Sequence, residues 1–178
     1  MKHLLWIDLE MTGLDENVDK ILEVAAIITD LDFNTVDQLH RVIYQPPEVL
    51  ATMNDWCKHT HQASGLSTAV PNGTPLDQVE NELIALIGKH FKKEDRVVIA
   101  GNSISNDRRF IDKYLVQFAK LLHYRMIDVS SFKEVFREKY GISVKKADTH
   151  RALDDIIESV KELKHYLSFV KLPQQKTE

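Results

Sequence analysis

One short stretch, residues 4–14, most constrains what this chain can fold into. It reads LLWIDLEMTGL, so an apolar run carries two acids, Asp8 and Glu10. Side chains of a strand alternate between faces, so these carboxylates share one face and the apolar residues between them share the other. Like charges this close repel unless a cation lies between them, and clustered carboxylates suit Mg²⁺ or Mn²⁺. An edge strand with one solvated face fits the pattern as well, but the turn signal Thr12-Gly13 favours a site at a strand end.

The composition is that of an ordinary globular protein. The 178 residues are 43% hydrophobic and 28% charged, and we expect one domain over residues 1–172 with a disordered tail at 173–178. The single cysteine, Cys57, excludes an intramolecular disulfide. No stretch resembles a secretory signal or approaches the length of a membrane span. The sequence therefore predicts a cytoplasmic protein without a membrane partner.

The net charge limits the kinds of nucleic acid that the protein could hold. A chain that binds long nucleic acid by neutralising phosphates needs many Lys and Arg on one face, and the net charge of −4 argues against that mode. A short nucleic acid remains compatible, because bound cations and a few arginines can hold a few phosphates.

The hydrophobic pattern predicts a mixed sheet covered by helices. After the first strand, two extended runs complete a three-strand antiparallel meander. These runs are residues 21–30 and 39–44; helices are predicted at 50–60, from 74 onward, and at 106–122, 130–140 and 149–170, with strands at 96–101 and 125–129. Thr74, Pro75 and Asp77 form a candidate capping box. We therefore expect an α/β fold, a mixed five-stranded sheet with the meander on one side, parallel strands on the other and flanking helices.

Two further acids and one histidine stand where helices begin. Asp107 opens a helix after a buried strand, and Asp155 lies in the first turns of the last helix. Each alone fits an acid that complements the helix dipole. Together with Asp8 and Glu10, however, they can converge on a pair of divalent ions roughly 3.5 to 4 Å apart, as in phosphoryl transfer. His150, five residues before Asp155, could then take a proton from the attacking water.

Five stretches carry a resemblance to a known family. Residues 6–14, 101–110 and 150–155 resemble the DEDDh exonucleases, whose fold is ribonuclease H-like. Two more, NDWCKHTHQASGL at 54–66 and HYRMIDVS at 123–130, are similar to the oligoribonuclease group within that family. The resemblance runs from residue 6 to about residue 163, and all five stretches follow in the family's order and spacing.

The resemblance implies an activity and roles for the residues. It implies a homodimeric 3'-to-5' exoribonuclease that cuts very short RNA, dinucleotides above all, to 5'-mononucleotides by two-metal-ion hydrolysis. The implied metal ligands are Asp8, Glu10, Asp107 and Asp155, and the implied general base is His150. Asp155 is preferred to its neighbour Asp154 because the family motif places five steps between the histidine and the acid.

Substrate length would be set by a pocket closed at both ends. We hypothesise that Leu14 and Trp56 pack against bases, because apolar and aromatic faces accept any base, with Tyr124 a third candidate supplied across a dimer interface. A 5' phosphate could be held by a basic and hydroxyl-bearing set, namely Arg125, Ser103, Ser130 and Ser131. The alternatives are ordinary core for the aromatic residues, a surface ion pair for Arg125 and helix caps for the serines.

Three questions stay open at this point. Rival activities are a ribonuclease T-like trimmer of RNA 3' ends, a proofreading exonuclease on DNA, and a ribonuclease H-like module that binds without catalysis. A preference for RNA over DNA is also open, because a backbone group could contact the 2'-hydroxyl. No role follows for His61, and Arg108 and Arg109 could either steer RNA or pair with nearby acids.

Overall fold

The fold is organised around one five-stranded mixed sheet. The computed structural model describes residues 2–145 and 150–171; the predicted tail at 173–178 and the predicted helix start at Thr149 lie outside the described residues. The strands are β1 (His3–Met11), β2 (Ile21–Asp30), β3 (Thr35–Val42), β4 (Val97–Gly101) and β5 (Leu122–Asp128). Their order is β3-β2-β1-β4-β5, with β1, β2 and β3 antiparallel and with β4 parallel to both β1 and β5. The predicted sheet is confirmed.

The central place of β1 explains its unusual sequence. On one face Leu5, Ile7 and Leu9 are buried in the larger hydrophobic core. On the other face, Leu4 and Trp6 are buried in a second core, and Asp8 and Glu10 continue that face. β1 is therefore no edge strand, and its two acids lie at the carboxyl end of a strand that is covered on both faces.

Eight helices surround the sheet in the described part of the chain. They are α1 (Pro47–Ala51), α2 (Asp55–Ala63), α3 (Leu66–Ala69), α4 (Leu76–His90), α5 (Ser105–Tyr114), α6 (Val116–Ala119), α7 (Val129–Tyr140) and α8 (Ala152–Leu167). Helix α8 packs on β1 and β2, on the face that carries the acids. None of these helices has both the length and the apolar character needed to cross a membrane.

Two long helices predicted from periodicity are each divided in two. The predicted helix at 50–60 breaks before Asn54, whose side-chain oxygen accepts a hydrogen bond of 2.8 Å from the Cys57 amide and so caps α2. The predicted helix at 106–122 breaks at Leu115, where φ is −122° and ψ is 57°, and its last residue begins β5. Leu121, expected inside, is exposed because it lies in the turn that leads to that strand.

The predicted capping box at Thr74 is wrong. Helix α4 begins after Pro75 and has no side-chain cap. The backbone of Thr74 is instead engaged with the chain after β3: its amide donates to Val42, and its carbonyl accepts from Tyr44. This bridge holds Thr74 in an extended conformation outside the helix. The third strand also begins earlier than predicted, at Thr35.

Candidate active site

Three carboxylates meet where β1 ends under α8. Oxygens of Asp8, Glu10 and Asp155 all lie within 4.8 Å of one another, and each residue is half-buried. Strand alternation places the first two side by side, and the first turn of α8 places the third above them. Asp154, the adjacent acid, is exposed and is not in this group. The helix thus presents Asp155, and not its neighbour, to β1.

Asp107 is held against the same strand. It is only 5% exposed, and its Oδ1 accepts a 2.9 Å hydrogen bond from the Leu9 amide, midway between Asp8 and Glu10. Helix α5 begins two residues earlier, directly after the parallel strand β4. The carboxyl end of a parallel strand therefore brings the fourth acid to the first two.

The pKa values of Asp8, Glu10 and Asp107 are raised, mainly because these acids are buried. Burial is the largest cause for Asp8, whose pKa is raised well above its ordinary value, and the charges of its acidic neighbours add to it. Burial and nearby charges raise the pKa of Glu10 to about 8, and mainly burial raises the pKa of Asp107 to about 7. A pocket of clustered carboxylate oxygens in need of positive charge fits a divalent cation.

Two histidines lie on chain segments next to those that carry the acids. His150 lies on the loop just before α8, with φ of 48°, and the ring of Trp56 meets its ring edge-on at 5.5 Å between centroids. His61 is buried in α2; its Nε2 lies 2.9 Å from the Met11 carbonyl oxygen, and its Nδ1 lies 3.9 Å from Glu10 Oε2. Burial lowers the pKa of His61. Sequence reasoning assigned no role to this residue.

A cavity of about 350 Å³ opens next to Glu10 and His61. Leu14 and Trp56 also line it, and they are 62% and 63% exposed. Trp56 is therefore not a core residue, and both side chains are available to a ligand in the cavity. The loop that carries Leu14 is tied to α5, because Arg109 donates to the Leu14 carbonyl and pairs with Glu16.

The serines predicted to hold phosphate separate into two groups. Ser103, with φ of 49°, donates its amide to Asp128 Oδ1 at 3.0 Å and to Ser130 Oγ at 2.9 Å, so these two serines are neighbours. The cap of α7 is Asp128, and neither serine fills that place. Ser131 is exposed and lines a different, apolar depression with Phe132.

Tyr124 and Arg125 lie on the outer strand β5. Tyr124 is 72% exposed, and the Arg125 guanidinium carbon lies 5.5 Å from the centroid of its ring. Arg108 pairs with Asp112, whereas no ion pair of Arg125 is found among residues 2–145 and 150–171. No described contact joins Tyr124 or Arg125 to Ser103 or Ser130.

Sequence reasoning overlooked Glu23, which is opposite Glu10 in the register of β1 and β2. Its side chain is fully buried and lies 2.6 Å from Arg151 Nη2, 3.0 Å from the Ala152 amide and 2.7 Å from His40 Nε2. Burial by itself raises the pKa of Glu23, but these hydrogen bonds outweigh it and lower the pKa to about 2. A lone acid in the otherwise apolar run of β2 was the available signal.

Comparison with known proteins agrees with this architecture. The exonuclease family (RNase_T) matches residues 5–163. The chain is 47% identical over 171 residues to the mitochondrial oligoribonuclease of Homo sapiens, with 93% of this chain and 72% of that protein covered. It is 46% identical over 169 residues to the oligoribonuclease of Francisella tularensis, with 92% and 93% covered.

Solved structures share the fold. Exonuclease I of E. coli in complex with a dA16 oligonucleotide matches with a TM-score of 0.70 at 13% identity, and the match covers 94% of this chain and 41% of that one. The zinc-bound form of the same enzyme with single-stranded DNA matches with a TM-score of 0.68. At this identity the likeness concerns the fold alone, and it confirms the ribonuclease H-like class. The extent and identity of the sequence matches show that the chain belongs to the exonuclease family and, within it, to the oligoribonucleases.

Proposed function

We propose that this protein is a 3'-to-5' exoribonuclease that degrades very short single-stranded RNA, dinucleotides above all, to 5'-mononucleotides. The observation that carries the proposal is the convergence of Asp8, Glu10 and Asp155 within 4.8 Å beside an open cavity. The names of the related oligoribonucleases support the substrate class.

The four acids and His150 divide the chemical work. Asp8, Glu10, Asp107 and Asp155 would hold two divalent cations, Mg²⁺ or Mn²⁺, which when bound stabilise the attacking and leaving oxygens. His150 takes a proton from the water that attacks the terminal phosphorus. The bond between that phosphorus and the 3' oxygen of the preceding nucleotide breaks, and that oxygen acquires a proton from solvent. The released nucleotide keeps the phosphate on its 5' carbon.

The surroundings of the cavity suggest how a short substrate is selected. The exposed side chains of Leu14 and Trp56 pack against bases without reading their sequence. Ser103 and Ser130 offer adjacent hydroxyl groups to a 5' phosphate. Ser131 stays a prediction for the same role, although it lines another depression.

Arg125 and Tyr124 enter this scheme through a second copy of the chain. Both are exposed on β5, and Arg125 has no acidic partner in the described ranges, which suits a residue that completes a neighbouring subunit's pocket. The protein is then a homodimer in which each site borrows these two residues. A cytoplasmic location stays a prediction, since the names of the relatives include mitochondrial proteins.

A time course with RNAs of two to ten nucleotides tests the proposed function. Each RNA carries a 5' label and is incubated with Mg²⁺ and either the wild type or His150→Ala. We expect the dinucleotide to disappear much faster than longer RNAs, and His150→Ala to lose about 10² to 10⁴-fold in turnover. Equal trimming of long RNA or DNA would retain the exonuclease and remove the short-substrate claim. No cleavage with any divalent cation would favour a binding module.

A further inference from the structure

One buried ion pair ties the loop of His150 to the central sheet. We propose that Glu23 and Arg151 are positioning residues that fix His150 and the first turn of α8 over the acids of β1. The inference rests on the proposed function, because the pair acts through the predicted general base and through Asp155. Neither Glu23 nor Arg151 would touch the substrate.

Both oxygens of the Glu23 carboxylate accept hydrogen bonds. Arg151 approaches it with two nitrogens: Nη2 lies 2.6 Å and Nε 2.9 Å from Oε1, and Nε lies 3.2 Å from Oε2. A third Arg151 nitrogen, Nη1, donates to the Ser64 carbonyl at 3.4 Å. A planar guanidinium held at several points can take few orientations, so the backbone of Arg151 is fixed relative to β2.

The same carboxylate also caps α8. Arg151 occupies the N-cap position of this helix but provides no side-chain cap, and Glu23 Oε2 accepts the Ala152 amide at 3.0 Å in its place. The negative charge also complements the positive end of the helix dipole. Because Asp155 lies in that first turn, Glu23 sets the height of Asp155 above β1.

His150 needs such an anchor because its backbone is strained. Its φ of 48° lies in the left-handed region, which residues other than glycine adopt only when their surroundings impose it. Arg151 follows it directly, and the ring of Trp56 meets the His150 ring edge-on. The orientation of His150 is thus determined between an arginine fixed to the sheet and an aromatic ring.

Glu23 cannot easily be a fifth metal ligand, although it lies opposite Glu10. Both of its oxygens already accept hydrogen bonds, and its charge is matched by Arg151. A buried ion pair adds less net stability than its contacts alone suggest, because desolvation of the two charges opposes their attraction. Fixed geometry is therefore the main effect expected of this pair.

The test compares two ion pairs of the same chemistry. Glu23→Gln with Arg151→Met removes the proposed pair. Glu82→Gln with Arg41→Met removes a pair of 2.8 Å between α4 and β3, away from the acids. We expect the first double variant to melt near the wild-type temperature, yet to lose roughly 10-fold or more in kcat on a dinucleotide with KM changed less than about twofold. The control pair should leave both constants unchanged.

Comparing the effect of removing the pair with and without His150 separates a positioning role from a general structural role. In a His150→Ala background, removal of Glu23 and Arg151 should change the residual turnover by less than about twofold if the pair acts mainly through His150. The same fold-loss in both backgrounds would overturn the positioning of His150 and leave Asp155 as the residue through which the pair acts. An unchanged kcat in an active wild-type background would overturn it while the proposed function stands.

Two further measurements keep the proposal testable in every case. If the double variant does not fold, Arg151→Lys keeps the charge but removes the planar guanidinium, and it should still lower kcat with KM unchanged. An unaltered kcat would contradict the proposal. If the wild type cleaves no RNA, the proposed function fails, and the imidazole NMR signals of His150 then test the positioning role. They should shift in the first double variant and not in the control, and identical signals would overturn the positioning role.

Discussion

The carboxyl end of β1 and the outer strand β5 both carry residues predicted to act on substrate, but they are built in opposite ways. Asp8 and Glu10 lie on β1, next to β2 and under α8, and Asp107 accepts a hydrogen bond from the backbone of β1. Tyr124 and Arg125 are exposed and contact each other and the neighbouring His123. The acids of the first region are brought together within one chain, whereas the second region is an exposed surface.

The difference shows which side chains must be held rigidly by the fold. Acids that gather around cations have to be aimed by packed elements, and their burial raises the pKa of Glu10 to about 8. Side chains that close on a mobile substrate or on a second subunit need only be accessible. Under the proposed function, the arrangement separates the chemistry, at the buried acids, from the selection of substrate length, at the exposed residues.

The largest expected effect concerns the inner region. Asp155→Asn should lower turnover by more than about 10²-fold, because under the proposed function this acid is one of the carboxylates that hold the cations. Asp154→Asn is the matched control: the same substitution one residue away on an exposed side chain should leave turnover within about twofold. Initial rates on a dinucleotide measure both. Equal losses in the two variants would show that the assignment of Asp155 is wrong.

Arg125→Ala tests the outer region and should have the next largest effect. Without its guanidinium the 5' phosphate of a dinucleotide loses a charge-assisted contact, so we expect dinucleotide turnover to fall about 10-fold and that of a heptamer much less. A fall of the same size on both substrates would contradict the phosphate-holding role.

Mixed dimers decide whether Arg125 acts across subunits. When Arg125→Ala is mixed with Asp155→Asn, a mixed dimer holds one site with an intact Asp155 and a borrowed intact Arg125. About one quarter of all sites should then regain full activity after random exchange. No recovery in a mixture shown to exchange subunits would place Arg125 in its own chain's site.

The pH dependence of the melting temperature measures how far the fold raises the pKa values of the inner acids. The raised pKa values of Asp8, Glu10 and Asp107 mean that the cation-free folded state binds more protons than the unfolded chain from about pH 4.5 to 8. Its stability should therefore fall as pH rises through that window.

Mg²⁺ should oppose this loss, because cations bind the ionised carboxylates. At one fixed Mg²⁺ concentration, 100 times the Kd at pH 8.5, we expect Tm to rise by about 5 to 10 °C at pH 8.5 and by less at pH 6. Glu10→Gln should reduce the difference between the two pH values. A Mg²⁺ shift that is equal at both would show that the acids are not protonated when the cation is absent.

The smallest expected effect is on the helix that lines the cavity beside the inner acids. Asn54→Ala removes the cap of α2, the helix that carries Trp56, and should cost about 1 kcal/mol in the free energy of unfolding. Thr74→Ala, at the position of the predicted capping box, should cost much less, since Thr74 caps no helix. Denaturant titration distinguishes them, and equal costs would contradict the capping role of Asn54.

The sequence by itself determined much of the fold and the centre of the site. Strand alternation in β1 joined Asp8 to Glu10, and the order of apolar runs predicted a mixed sheet. The resemblance to the family motif, with five steps from His150 to the acid, favoured Asp155, which the structure brings to the other acids. The strand and sheet predictions depend on periodicity within single elements, which a chain displays in its order of residues.

The tertiary structure alone decided what depends on distant neighbours. The helix breaks at Asn54 and Leu115 follow from local caps and packing that apolar spacing does not record. In the sequence, Glu23 is one acid in an apolar strand. Only folding brings Arg151, 128 residues later, against it. His61 likewise gains its place only when α2 packs beside β1. Side-chain partners far apart in the chain leave no spacing to read, because folding and not sequence distance brings them together.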